Sequence, residues 1–375
     1  MTIYFLIPDF SDLNDDSIVY LGEGLKEIGI PFFSNKNYWL LDNNGDYLFK
    51  KNVNFIPEID ADVVIVSYKW TEHMDPHTFK VKGQAVPKWV LQKDRKFKAV
   101  YLDPRDGYET KSYTSEFRSF DLILRSKKNK RTLNYPNIYP WVLGYQERII
   151  REKVGIPIEK KRFEIAVNFN FSHSFKHQLR KWAEEKFIAS LPSSVVNRTI
   201  STKEAPKDPY SRLMWEQTVK LHNPDYYNHI ESVLMVAAFC GDLIPAYPLN
   251  PSLYLRGGNK AKLKKFFFSL ISFSSRKDPR IIQWDSWRFW ETLALGSVPI
   301  HIDIEKYGVE LPVMPINWKH YIGIDLNKPK DTIERILEEP DTVYKIARDG
   351  NRWCLDEYSP KSSATRMLKV LSEIG

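Results

Sequence analysis

Residues 283–302 read QWDSWRFWETLALGSVPIHI. The spacing predicts a helix over 284–295, with Asp285 or Ser286 at its start, where a short polar side chain caps the free amides of a first turn. Such an N-terminus, opening at the edge of a sheet, forms a natural phosphate site. Arg288 stands one turn in, and its guanidinium suits a bidentate clamp on a diphosphate. Glu291 follows three residues later on the same face, where a carboxylate is placed to accept hydrogen bonds from the two hydroxyls of a ribose. Gly296 then stops the helix, and Val298-Pro299-Ile300 enters a strand. Ligands of open α/β proteins bind at this kind of sheet edge. The spacing alone equally allows Arg288 and Glu291 to form a simple surface pair.

Working outward, the same alternation of apolar strand and helix recurs. Downstream, 321–324 reads as a further strand, 332–337 and 343–349 as helices, and the chain from Tyr358 onward as a last helix. Upstream, FEIAVNF (163–169) opens a unit, followed by a polar loop at 170–174, a helix at 175–187 and a strand near 195–200. Residues 226–239 are apolar but open between helix and strand. The first half carries TIYFLI (2–7), a helical stretch at 18–28 that stops at Gly29, then ADVVIVS (61–67), AVYL (99–102), FDLILR (120–125) and IYPWVLG (138–144). Short continuous apolar strands between helices predict parallel sheets covered on both faces. A chain of 375 residues exceeds the ~250–300 residues at which single cores stop growing. We therefore expect a Rossmann-like domain over 1–145, a charged linker carrying Pro157 at 146–162, a second Rossmann-like domain over 163–355, and a closing helix within 356–375 that packs back on the first.

The net charge of +8 suits anionic partners such as nucleotide diphosphates or anionic membranes. Nucleic acid is not expected, because zinc-finger spacing and RNP-type motifs are missing. Cys240 and Cys354 are the two cysteines and form no CxxC pair, which argues against a structural zinc site and a disulfide framework and for a cytoplasmic location. Residues 1–8 read as a first strand rather than a signal peptide, and no run reaches the ~20 apolar residues needed to span a bilayer. Residues 253–275, LYLRGGNKAKLKKFFFSLISFSS, put five basic residues ahead of an aromatic cluster. That pattern fits peripheral membrane contact, and equally an ordinary helix and core strand with a basic outer face.

The pattern D-S-W-R-x-W-E-x-L-A-x-G-S-V-P-I resembles the donor-binding helix of GT-B glycosyltransferases, above all the exostosin-type signature S-x-R-x-x-E-A-L-x-x-G-C-V-P-V. The matching positions are Ser286, Arg288, Glu291, Leu293, Gly296, Val298 and Pro299, with Thr292 and Ser297 in place of the usual Ala and Cys. Residues 311–325 (LPVMPINWKHYIGID) and Tyr358-Ser359-Pro360 are similar to the segments that follow in that family. The resemblance covers about the last quarter of the chain; residues 253–280 depart from it as an insertion.

The resemblance implies an α/β protein of GT-B architecture, two Rossmann-like domains with parallel sheets facing a cleft. It implies a glycosyltransferase that takes a nucleoside-diphosphate sugar in its C-terminal domain and a glycan or lipid-linked acceptor in its N-terminal domain, in surface polysaccharide biosynthesis and with inversion. No cofactor and no metal are expected, since Arg, Lys and helix dipoles neutralise the leaving diphosphate in such enzymes. Asp60-Ala61-Asp62 has the letters of a metal-binding DxD but precedes its strand. Donor-binding candidates are Asp285, Ser286, Arg288 and Glu291, joined by Ser172, His173, Lys176 and Arg180 from the loop NFNFSHSFKHQLR (168–180). His173 and His177 have zinc-compatible spacing but no third ligand. A catalytic base would come from PDFSDLNDD (8–16) or DPRDGYE (103–109); Asp106 is the first candidate and Asp9 the second. A non-hydrolysing sugar-nucleotide epimerase of the same fold and a non-enzymatic two-domain sugar- or anion-binding protein are the alternatives.

Overall fold

The apolar runs of the first half become six parallel strands: β1 (Ile3–Leu6), β2 (Phe32–Ser34), β3 (Val63–Ser67), β4 (Lys98–Asp103), β5 (Leu122–Arg125) and β6 (Ile138–Pro140). They lie in the order β6-β5-β4-β3-β1-β2. The second half builds a parallel sheet from β7 (Arg162–Ala166), β8 (Val196–Asn197), β9 (Val233–Ala237), β10 (Val298–Ile302) and β11 (Ile322–Ile324), in the order β8-β7-β9-β10-β11. This computed structural model describes residues 1–8, 16–70, 73–74, 81–82, 85–104, 115–131, 135–169, 178–198, 204–244, 280–282 and 284–374.

Both sheets are doubly wound: the first strand sits inside, the second pairs on one side of it and the third on the other. That reversal creates a switch point between β1 and β3 in the first sheet and between β7 and β9 in the second. All residues of β3, β9 and β10 are buried, the condition under which strands become continuous apolar runs. Alternation sorts the side chains of the first sheet. Ile3, Phe5, Ile65 and Val100 face one core, and Tyr4, Leu6, Val64 and Tyr101 face the other.

The elements around the second sheet sharpen the sequence reading. Residues 226–239 hold a helix and a strand in succession: α2 (Pro224–Ser232), then β9. Asn223 caps α2, accepting from the Asp225 amide at 3.0 Å, and Pro224 fills the first helical position, where its missing N–H costs nothing. The helix of the opening motif, α3, runs over Trp287–Ala294, three residues later than its apolar spacing indicates. Trp284 and Asp285 are buried ahead of it, and Gly296 at φ +75° follows its end. Then come α4 (Pro329–Glu338), α5 (Pro340–Tyr358) and α6 (Pro360–Glu373).

Segment 146–162 is a packed connection despite its charge. Arg148 is buried and donates to Gln146 Oε1 (2.6 Å) and the Tyr227 hydroxyl (2.6 Å). The fully buried Glu231 carboxylate accepts the amides of Val154, Gly155 and Ile156. Charged side chains there are held inside because each finds hydrogen-bond partners.

Helix α6 lies against α1 (Asp16–Glu27) and contributes Ala364, Met367, Val370 and Leu371 to the core beneath the first sheet. The approach is close: a Cβ at Gly24 would meet the Pro360 carbonyl oxygen at 1.9 Å. The two lobes are tied at other places as well. The Leu143 amide donates to Asp285 Oδ2 at 2.8 Å. An antiparallel bridge joins Asn129 and Val309, with the Lys130 amide donating to Gly308 O (2.7 Å) and the Glu310 amide to Lys128 O (3.1 Å).

Candidate functional site

The C-terminal carbonyls of α3 are fully provided for. Lys161 Nζ donates to Leu295 O (3.0 Å), to Ser297 Oγ (3.0 Å) and to Glu231 O (2.5 Å), while Asn351 Nδ2 donates to Leu293 O (2.6 Å) and Ala294 O (3.0 Å). Burial pushes the Lys161 ammonium down to about 8, against the attraction of Glu231. The helix buries everything from Phe289 to Ala294 and leaves Ser286, Trp287 and Arg288 half-buried. Its N-terminal turn is thus its least buried part. Ser286 occupies the N-cap in extended conformation, but its hydroxyl makes no cap bond and is buried without a partner among the described residues.

Arg288 reaches from this turn to the second sheet. Its Nη2 donates to Asn168 O at 2.7 Å, just beyond the end of β7, and its Nε is buried with no partner among the described residues. A second guanidinium arrives from the helix Gln178–Trp182: Arg180 Nε donates to Phe239 O at 3.0 Å, just beyond the end of β9. The two arginines are therefore anchored on the carboxyl ends of the two strands that flank the switch point. Burial disfavours the protonated form of Arg180, and the charge of Arg288 adds to that effect. An arginine nevertheless stays protonated in a protein. The result is a concentration of positive charge at a position where open sheets bind anions.

Glu291 lies one turn further along α3 and is 6% exposed. The Tyr226 hydroxyl, from the first turn of α2, donates to its Oε2 at 3.3 Å. Burial and the neighbouring Glu291 charge both raise the Tyr226 hydroxyl pKa. Beneath the site, His301 is buried against Phe239, Trp284 and Phe289; burial pushes it down to about 4, so it is neutral at physiological pH.

Asp285 has both oxygens engaged: Oδ2 with the Leu143 amide and Oδ1 with the Trp290 indole N–H at 2.6 Å. Burial raises its carboxyl to about 6, and the positive charge of Lys127, across the lobe boundary, opposes that rise. The side chain ties α3 to the first lobe.

Of the residues singled out in the sequence, Arg288, Glu291 and Arg180 come together, with Ser286 and Asp285 at the opening of α3. Asp9, Asp106, Ser172, His173 and Lys176, and the segment 253–275, lie outside the described residues. The sequence reading missed Tyr226 and the carbonyls of Asn168 and Phe239. Asn223-Pro224 is the signal that could have placed Tyr226 in a first helical turn. Among the described residues no cluster of His, Cys, Asp or Glu could hold a metal ion, and no helix is long and apolar enough to cross a membrane.

No protein-family model matches this chain, and no curated protein sequence matches it. Solved structures do. A glycosyltransferase from Rickettsia africae ESF-5 superposes with a TM-score of 0.51 at 11% identity, covering 100% of this chain and 98% of that one. An alpha-glucosyltransferase in complex with UDP-glucose and DNA containing an abasic site does so with a TM-score of 0.50 at 10% identity, over 100% and 98% of the two chains. An alpha-glucosyltransferase in complex with UDP gives the same TM-score and identity over 99% and 98%. At these identities the likeness is one of fold. With the two doubly wound sheets it makes the chain an α/β protein of GT-B architecture.

Proposed function

We propose that the protein is a glycosyltransferase that moves a sugar from a nucleotide-sugar donor to a glycan or lipid-linked acceptor, without a metal, with inversion, in the synthesis of a surface polysaccharide. The observation that carries this reading is the pair Arg180 and Arg288 on the carboxyl ends of β9 and β7, beside the N-terminus of α3. A nucleoside diphosphate needs that arrangement: two fixed cations, and amides that point at the phosphates. In this reading Glu291 turns to the ribose hydroxyls, with Tyr226 holding its other side. The acceptor hydroxyl attacks the anomeric carbon as its proton passes to the carboxylate of Asp106, or of Asp9. The bond from that carbon to the diphosphate oxygen breaks, and the arginines neutralise the charge left on the leaving group. Guanidinium groups do the work that a divalent cation does elsewhere, so no metal enters the scheme.

The test is a thermal-shift screen against UDP, GDP, CMP, dTDP and ADP, with and without EDTA, followed by sugar transfer from the stabilising donor class. One nucleotide is expected to raise the melting temperature, with EDTA making no difference. If none does, the donor site is wrong; if EDTA abolishes the shift, the metal-free scheme is wrong. Turnover of the sugar nucleotide with no acceptor present would replace the transferase with an epimerase. The acceptor panel includes duplex DNA beside free and lipid-linked glycans, because a protein of similar fold was solved on DNA and this chain carries a charge of +8.

A further inference from the structure

The flank of α6 walls a cavity that has no part in the donor site. It measures about 450 Å³, within the range of about 300–1,000 Å³ typical of small-molecule pockets. Lys361, Thr365 and Lys369 line it in one row, each four residues after the last, with Arg366 and Glu373 beside them. This strip of the helix adjoins the one that sends Ala364, Met367 and Leu371 into the core. Tyr139, on the edge strand β6, joins the lining. None of Arg180, Tyr226, Arg288 and Glu291 takes part.

Three cations and one carboxylate thus border one space, and the cations retain capacity for an anion. Arg366 is held on two sides: Nη2 donates to Glu357 Oε2 at 2.8 Å, and the guanidinium lies 5.1 Å from the centre of the Tyr358 ring. Its Nη1 is nevertheless buried with no partner among the described residues, and a buried donor left that way destabilises the unliganded protein. Lys361 meets Glu27 at 3.5 Å, but both side chains are exposed, and such a pair contributes little in water. Lys369 is exposed and forms no ion pair among the described residues. Burial raises the Tyr139 phenol pKa, the charge of Arg366 opposes that rise and Glu373 adds to it, so all three groups act on the same space. A bare phosphate would need only the cations, and Glu373 would repel it. That carboxylate and the Thr365 hydroxyl suit the hydroxyl groups of a sugar, as the ring of Tyr139 suits its C–H face.

We propose that the cavity between α6 and β6 is a second binding site, for a phosphorylated sugar: Arg366, Lys369 and Lys361 take the phosphate, and Glu373, Thr365 and Tyr139 take the sugar. The sugar part of this ligand rests on the glycosyltransferase reading above, and the anion part on the cavity alone. The same chemistry is met in a free sugar phosphate and in a glycan joined to a lipid through phosphate.

Titration calorimetry of the full chain with glucosyl phosphate, inorganic phosphate and glucose tests this, using K369E and R366Q, with R288A as the control. The parent binds glucosyl phosphate more tightly than either of its halves. K369E, at an exposed position, melts with the parent and binds glucosyl phosphate about tenfold more weakly, as for loss of one charge-assisted contact. R366Q weakens it at least as much, and R288A binds it as the parent does. If R366Q fails to fold, K361E takes its place. Sedimentation with phosphatidylcholine vesicles, with and without phosphatidic acid, identifies the carrier. Retention by phosphatidic acid that K369E abolishes assigns a lipid-borne phosphate; calorimetric binding without retention assigns a free sugar phosphate. Neither binding nor retention in the parent, or parental affinity in both K369E and R366Q, would overturn the proposal. If R288A alone loses glucosyl phosphate, the ligand sits in the donor site and the second site falls while the donor reading stands. If K369E loses it and R288A keeps it in a protein that no nucleotide stabilises, the second site stands and the donor reading falls.

Discussion

Replacing Arg288 by alanine separates what the side chain does for the fold from what it does for a ligand. In the unliganded protein Arg288 contributes a hydrogen bond from Nη2 to Asn168 O at 2.7 Å, and a bond from a charged donor is worth about 1.5–3 kcal/mol. Against this, its Nε is buried without a partner among the described residues, and an unsatisfied buried donor costs about 1–3 kcal/mol. The two nearly cancel, so R288A is expected to lose about 1 kcal/mol of stability or less, a melting shift of no more than about 4 °C. Binding has no such cancellation. Removing one member of a charged, hydrogen-bonded clamp costs about 2–4 kcal/mol, which weakens nucleotide affinity about 30- to 1,000-fold. Arg180 remains and leaves residual binding. Calorimetric titration with the stabilising nucleotide, beside a melting curve, reads both quantities on one preparation. An affinity within about threefold of the parent, or a melting transition that broadens or collapses, would refute the reasoning, because Arg288 would then be a structural residue.

Three further variants probe neighbouring groups. E291Q, which keeps the shape but loses the charge that accepts from Tyr226, is expected to lower discrimination between UDP and dUDP about tenfold; unchanged discrimination in a competition assay places the ribose elsewhere. Asp285 titrates at about 6 when folded and near 3.8 unfolded. The folded state therefore holds the extra proton between those values, and its stabilisation is complete below the lower and lost as pH rises through the upper. The melting temperature of the parent minus that of D285N should accordingly increase on acidification from pH 7 to pH 4.5, and a flat difference would contradict the buried carboxyl. K161M leaves the Leu295 and Glu231 carbonyls without their cation and should lose about 1–3 kcal/mol in urea unfolding at neutral pH. Because the Lys161 pKa is lowered from 10.5 to about 8, the unfolded state binds more protons between those values, and the parent gains stability relative to K161M as pH rises through that window.

The strands were legible because parallel sheets bury both faces: VVIVS at 63–67 and VPIHI at 298–302 are apolar runs in the sequence and buried strands in the fold. The same logic blurred residues 226–239. A buried strand follows a half-buried helix there with no loop between them, the polar pair Glu231-Ser232 at the junction belongs to the helix, and only the Asn223-Pro224 cap marks where the helix starts. The neighbourhood of Arg288 and Glu291 was legible because both lie on one short helix, where spacing fixes direction. Tyr226 and the carbonyl of Phe239 could not be placed with them, since topology rather than spacing brings them there. Asp285 illustrates the limit. An aspartate ahead of a helix reads the same whether it caps the first turn or reaches across to another lobe, and here its oxygens go to Leu143 and Trp290.

The return of α6 to the first lobe also governs the order in which the chain can fold during synthesis. Residues of β1 to β6 leave the ribosome first, yet the face formed by Ile3, Phe5 and Ile65, covered in part by Ile18, Val19 and Leu25 of α1 and by Phe49, is not complete until Ala364, Met367 and Leu371 have been made. The second sheet, including β9 and β10, is synthesised in that interval. The lobe made first is thus completed last, and through most of translation the part of its apolar face that α6 will cover is a surface that chaperones must shield or that the growing chain must cover provisionally.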